Sequence, residues 1–253
     1  MFISEKNINF ANDNNFIKKY SKNACFLKKK EIMKEDKKKP SEICGVKVWF
    51  TSDTHLTHKN VLKHCPKRAI AGNFDINDVE AHDKWVIDTW NTTIGKNDIV
   101  YILGDFSFAS PEVIKKKIMP KLNGQKYLIL GNHDKSSEHL KGYFKQITQM
   151  KEVIFKKKNF PFIEEDIFAV FMCHYPMLTW SRKCYGAVCA HGHCHGNIDE
   201  FNEENTDLRV DVGLDGSLAD FKPISLEDLY AYFKNKANGK PLAEYVSENI
   251  EIK

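Results

Sequence analysis

Aspartate, asparagine and histidine gather at five places in the chain: Asp53-x-His55, Gly104-Asp105, Gly131-Asn132-His133-Asp134, His174 and Gly192-His193-x-His195. Carboxylate, amide and imidazole together form a donor set of intermediate hardness. Such a set suits Mn²⁺, Fe²⁺, Zn²⁺, Co²⁺ or Ni²⁺ better than Ca²⁺ or an all-oxygen Mg²⁺ site. Taken singly, an Asp after a strand is most often a cap or turn residue, and a lone histidine such as His174 is most often structural. The set carries more weight, because a specified four-residue string such as GNHD recurs by chance only about once in 10⁵ positions.

Each of these places follows a short apolar run. VKVWFTSD (46 to 53), DIVYILGD (98 to 105), QKYLILGN (125 to 132), DIFAVFMCH (166 to 174), GAVCAHGH (186 to 193) and LRVDVGL (208 to 214) read as buried strands ending in Gly, Asp, Asn or His. Polar residues immediately after buried strands stand where α/β folds open a cleft. Helical stretches lie between the runs. Val79, Val86, Trp90 and Ile94 share one face, SPEVIKKKI opens with Ser110 as N-cap and Pro111 in the first turn, and Leu226, Leu229, Tyr230 and Phe233 keep helical spacing behind Ser225, whose partner Asp228 makes a capping-box-like start. The alternation predicts a layered α/β architecture.

With 253 residues, 42% hydrophobic and 28% charged, the composition is that of a globular chain with one core. No run approaches the roughly 18 to 20 apolar residues of a membrane span, and the first residues lack the order of a secretory signal, so a cytoplasmic protein without membrane partners is expected. Seven scattered cysteines without a Cys-x-x-Cys pair read as reduced thiols. Residues 1 to 44, rich in Lys, Asn and Glu, read as an extension, helical or disordered, ahead of a folded domain over 45 to 253. Its lysine runs give weak support to nucleic-acid contact.

The ordered set of motifs resembles the calcineurin-like metallophosphoesterase superfamily, whose signature is Asp-x-His, Gly-Asp, Gly-Asn-His-Asp/Glu, His and Gly-His-x-His. This similarity spans about Val46 to Val212 and implies a four-layer α/β/β/α sandwich of two mixed sheets with a dinuclear metal centre. By resemblance Asp53, His55 and His195 complete one metal, Asn132, His174 and His193 the other, and Asp105 bridges them. Mn is the favoured ion. The physical logic agrees: two divalent ions about 3.5 to 4 Å apart need a shared anion and otherwise neutral ligands, so that the centre still attracts phosphate. A water bridging them would be lowered toward neutral pKa and attack phosphorus in line as hydroxide. His133, left over from the ligands, would face the phosphate or protonate the leaving oxygen, with Asp134 orienting it or capping a helix over 135 to 145. The alternation His193-Cys194-His195 would aim both imidazoles one way and pack Cys194 behind.

DTHxxHxN, Trp90-Asn91, Asp105-Phe106 and His174-Tyr175-Pro176 resemble small bacterial and phage members of this superfamily. His58 and Asn60, at a helix start, are expected phosphate contacts; Tyr175 and Arg182 are expected to shape a substrate pocket, with His64 and Arg68 weaker candidates. Arg209 is expected to pair with Asp211 or Asp215. Gly104-Asp105 runs into FSFAS with no arginine soon after it, and the fourth motif ends in Asp134, which argues against a protein serine/threonine phosphatase. The expected function is hydrolysis of phosphate esters, phosphodiesters before monoesters, on a small phosphate ester or nucleotide. A monoesterase, a nuclease and a non-catalytic metal-binding scaffold are the alternatives.

Overall fold

β1 (Val48–Thr51), β2 (Ile99–Ile102), β3 (Gln125–Ile129) and β4 (Gln146–Thr148) run parallel, and β9 (Ile224–Ser225) closes antiparallel on β1, giving the order β4-β3-β2-β1-β9. A second sheet has the order β5-β6-β7-β8, from β5 (Met150–Lys156), β6 (Ile167–Cys173), β7 (Val188–His191) and β8 (Arg209–Asp211). Here β5 is antiparallel to β6, and the remaining pairs are parallel. Both sheets are therefore mixed, as expected. This computed structural model describes residues 45–134 and 137–249. The extension expected over residues 1 to 44 lies outside the described residues.

Strand alternation explains the layering. Phe50, Tyr101, Leu103 and Ile129 face Phe168, Val170, Met172, Val188 and Ala190 across the space between the sheets. Trp49, Val100, Ile102 and Leu128 on the opposite face of the first sheet receive Val86 and Trp90 of α3 (Val79–Thr93), Ile94 just past its end, and Ile114 and Ile118. Those last two extend α4 (Pro111–Val113), which Ser110 caps through its hydroxyl. The outer face of the second sheet is covered by the 174–187 segment, whose Trp180 and Met177 pack on Ala169, Phe171 and Cys189. Two short helices, α1 (Val61–His64) and α2 (Lys67–Gly72), precede α3, and α5 (Asp199–Glu204) precedes β8. Near the end come α6 (Leu226–Lys236) and α7 (Leu242–Asn249), with Ser225 capping α6 by accepting the Asp228 amide. The Trp90-Asn91 pair serves this framework. Trp90 Nε1 donates to Asn123 O, while Asn91 grips Asn123 N and Lys121 O, tying α3 to the entry of β3.

Parallel pairing places the carboxyl ends of β1, β2 and β3 on one edge, and those of β6 and β7 likewise. Beyond the strands the chains stay in step: Asp53 N donates to Gly104 O at 3.0 Å and His55 N to Asp105 O at 3.0 Å. Ser52 bridges to Gly213 between the sheets, and along the second sheet Gly192 N reaches His174 O at 2.9 Å. All five motif loops thus meet at one end of the sandwich.

Candidate metal centre

The loops achieve this meeting with unusual backbone. Asp53 (φ 56°), His55 (47°), Asp105 (50°), His193 (68°) and His195 (50°) all occupy the left-handed region, at a penalty of about 1 kcal/mol or more each for non-glycine residues. Asn132 and His174 do not. His193-x-His195 is consequently a loop of alternating turns, not the extended segment expected, since β7 has already ended at His191. Gly104 permits a close approach: with φ 100°, a Cβ there would lie 2.5 Å from His174 Nδ1. A Cβ on Gly192 would lie 2.3 Å from Asp53 Oδ2.

Donor atoms converge in two overlapping groups. Asp53 Oδ1 lies 3.7 Å from His55 Nε2 and 3.5 Å from His195 Nε2, and the two Nε2 atoms are 3.3 Å apart. Atoms bound at about 2.0 to 2.2 Å to one ion stand roughly 3 to 3.5 Å from each other, which these spacings approach. In the second group Asp105 Oδ2 is 3.7 Å from His174 Nε2, which is 2.9 Å from Asn132 Oδ1. The same Asp105 Oδ2 is 3.7 Å from His55 Nε2 and 3.9 Å from His133 Nε2, so one oxygen faces both groups. His193 is exposed, its ring centroid 5.1 Å from that of His174. Asp53 Oδ1 is buried without a hydrogen-bond partner. A carboxylate oxygen in that position is expensive unless something cationic meets it, so these residues fit a divalent ion.

Around the donors, neighbours fix their orientation. His174 Nδ1 bonds Leu103 O at 2.7 Å, leaving Nε2 toward the centre. His195 Nδ1 lies 2.6 Å from Asp215 Oδ2 and 3.3 Å from Cys65 Sγ. Asp215 accepts from Arg68 through Nε at 2.9 Å and Nη2 at 2.6 Å, and Arg68 Nη2 also donates to Asp53 O at 2.7 Å. Burial works against protonating His195, yet the bonds to Asp215 and Cys65 and the Asp53 charge push its pKa up to about 10. Burial likewise opposes ionisation of Asp53, but the adjacent His55 imidazole and the charges of His195 and His174 hold its carboxyl at about 2. Asp211, accepting amides of Gly196 and Gly213 beneath the loop, rises to about 7 through burial and the Asp53 charge.

Several expectations need correction. Asp134 does not orient His133. Its carboxylate accepts the amides of Gly131 and Asp105, each at 2.8 Å, and Phe106 at 3.1 Å, so it staples the Gly-Asp loop to the Gly-Asn-His-Asp loop. Nor does it cap a helix, because the described chain beyond it makes only a short turn, Ser137–Leu140. Arg182 is bound to Glu152 at 3.0 Å, on the outer side of the second sheet, away from the centre. Arg68 is fully buried and structural. Arg209 is buried too, donating to Asn202 Oδ1 and Met177 O, while Asp215 belongs to Arg68. Asn60 is exposed, and its helix is a single turn, too short to supply a helix-terminal anion site.

His58 and Tyr175 do reach the site. His58 Nδ1 is 3.3 Å from His55 Nδ1, and burial together with the charges of His55 and His133 lowers its pKa to about 4. Tyr175, 44% exposed, meets the His174 and His193 rings edge-on at 5.1 and 4.8 Å. Four contributors were missed: Asp215, Cys65 and Phe108, and Arg68 in its structural role. For Asp215 the spacing gave no signal, since its partners lie 20 and 147 residues away.

Comparisons with known proteins agree with this geometry. An uncharacterized protein of Methanocaldococcus jannaschii is 29% identical over 183 residues, 72% of this chain and 88% of the relative. The Gene 66 protein of Mycobacterium phage D29 is 28% identical over 187 residues, 66% of this chain and 87% of its own. The crystal structure of a protein of unknown function from Aquifex aeolicus, 23% identical, matches the fold with a TM-score of 0.52 over 74% of this chain and all of that one. The family model described as calcineurin-like phosphoesterase matches residues 46–220, more than half of the chain and every motif loop, and the chain belongs to that family.

Proposed function

We propose that this chain hydrolyses phosphate esters, phosphodiesters in preference to monoesters, at a centre of two divalent ions for which Mn²⁺ is the favoured occupant. One observation carries the reading: a single oxygen, Asp105 Oδ2, faces His55 Nε2 and His174 Nε2 at the same 3.7 Å, as a carboxylate shared by two ions must. Asp53, His55 and His195 would hold the first ion, and Asn132, His174 and His193 the second, each with Asp105. When bound, the ions supply Lewis acidity toward phosphoryl oxygens and lower the pKa of a water between them.

The chain's own groups do the rest. His133, with a 43% exposed side chain at the mouth, is placed to donate a proton to the leaving oxygen. Its amide is held by Asp105 Oδ1 at 2.9 Å, so the carboxylate proposed to be shared also aims the acid. Asp134 keeps these two loops in register. His58, beside His55, and Tyr175, beside His174 and His193, are the proposed substrate contacts. The preference for diesters is supported by the arginines. Arg68 is buried against Asp215 and Arg182 is paired with Glu152, so neither offers the extra cation that a doubly charged monoester would favour.

The test is hydrolysis of bis(p-nitrophenyl) phosphate against p-nitrophenyl phosphate, with metal-stripped protein reconstituted with Mn²⁺, Ni²⁺, Zn²⁺ or Mg²⁺, beside Asn132→Ala. Metal-dependent diester cleavage that the variant loses is the expected result. No turnover of either ester with two ions bound per chain would favour a binding scaffold instead.

A further inference from the structure

Phe108 is a large apolar side chain left 40% exposed at the rim of the centre. Its position is set firmly: Phe108 N donates to Leu56 O at 2.9 Å, and Ser107 Oγ bonds the same carbonyl at 3.0 Å. One face lies parallel to His58, with centroids 3.8 Å apart and planes within 5°. His133 sits 4.5 Å from Phe108 but 6.3 Å from His58. Those three lengths put the two imidazoles at about a right angle around the phenyl ring, so among the described residues they do not sandwich it. A small cavity of about 120 Å³ adjoins the ring, walled by Phe106, Phe108, Ala109, Ile114 and Leu140, with Ser107, His133 and Asp134 on its polar side. An aromatic face, a partly apolar slot and the proposed proton donor are therefore contiguous.

We propose that Phe108 is a specificity-determining residue that receives a flat aromatic ring carried by the phosphate ester, as a nucleotide carries its base. The inference rests on the phosphoesterase reading above, because the ring is placed beside the phosphate only if the phosphate occupies the centre. Stacking on one aromatic face is commonly worth about tenfold or more in affinity. A ring held rigidly in advance supplies that gain without ordering a loop. An alkyl chain would also enter an apolar slot, but gains nothing from the planar face.

The experiment is calorimetric binding of inorganic phosphate, ribose 5-phosphate, adenosine 5′-monophosphate and hexyl phosphate to the full chain loaded with Mn²⁺. Adenosine monophosphate is expected to bind at least about tenfold more tightly than ribose 5-phosphate. Phe108→Leu should bring that ratio to within about twofold of unity, and Phe108→Trp should keep it. The ratio is taken within each protein, and the phosphate affinity of each variant reports whether its centre is intact. Equal affinities in the unaltered protein, a ratio that survives Phe108→Leu, or hexyl phosphate matching the nucleotide would each overturn the proposal while leaving phosphoester chemistry standing. Failure to bind any phosphate would overturn both.

Discussion

The two halves of the centre are held by different means. Around His195, side chains hold side chains: Asp215 bonds its Nδ1, Arg68 holds Asp215, and Cys65 lies against the same nitrogen. Around His174 and Asn132, backbone does the holding, through Leu103 O and through loops fastened by Asp134. Residues of the second half are thus fixed by groups in or beside the motif loops themselves, Leu103 next to Gly104-Asp105 and Asp134 within Gly-Asn-His-Asp. Those of the first depend on partners contributed from distant parts of the chain, and its affinity for an ion can be altered without touching a donor.

The most damaging change should be the one that ignores this difference. Asp105→Ala removes the oxygen facing both halves, and turnover should fall by roughly 10³-fold or more, with fewer than two ions retained by elemental analysis. Next, Arg68→Met leaves Asp215 buried without its guanidinium. Breaking a buried pair in this way lowers stability by about 3 kcal/mol, readable as a shifted urea midpoint. Asp215→Asn should weaken one ion by roughly 10- to 100-fold and leave the other nearly unchanged, a split that titration calorimetry would resolve. Equal weakening of both would dissolve the contrast between the halves. Smallest is Tyr175→Ala, which packs on the second half without holding it; KM should rise a few-fold while ion content stays constant.

A pH series sharpens the same comparison. In metal-free protein His195 has a pKa raised to about 10, against opposing burial, by Asp215, Cys65 and Asp53. A raised histidine contributes stability fully below the free-histidine range near 6.5 and loses it as pH climbs through the folded value. Asp215 is lowered against its burial by His195 and Arg68, so its share is lost only in acid. Thermal melts of the metal-free chain should therefore decline from about pH 7 to 10, and Asp215→Asn should flatten that decline.

Much of the centre was legible because its donors are tethered to strand ends. DIVYILGD declares a buried strand and its polar terminus in one breath, and the matching loops then have few places to go. The roles of neighbours were not legible. Arg68 and Arg182 look alike as arginines near motifs, but only burial separates an internal buttress from a surface pair with Glu152. Asp134 was misread because its three amide partners come from two loops that meet only in three dimensions. Strand β5 escaped notice since it is an edge. Met150 is 51% exposed and Ile154 36%, so MKEVIFK has no continuous apolar run to declare it.

The link from Arg68 through Asp215 to His195 also sets a clock. Its most distant pair, Arg68 and Asp215, is 147 residues apart, so at about 5 to 20 residues per second a ribosome needs roughly 7 to 30 s to deliver the second after the first. Until then Asp53 and His55 have emerged without the partners that complete their half of the centre. On the proposed reading, the first half of the centre cannot be completed until Asp215 has been synthesised, however early Asp53 and His55 emerge.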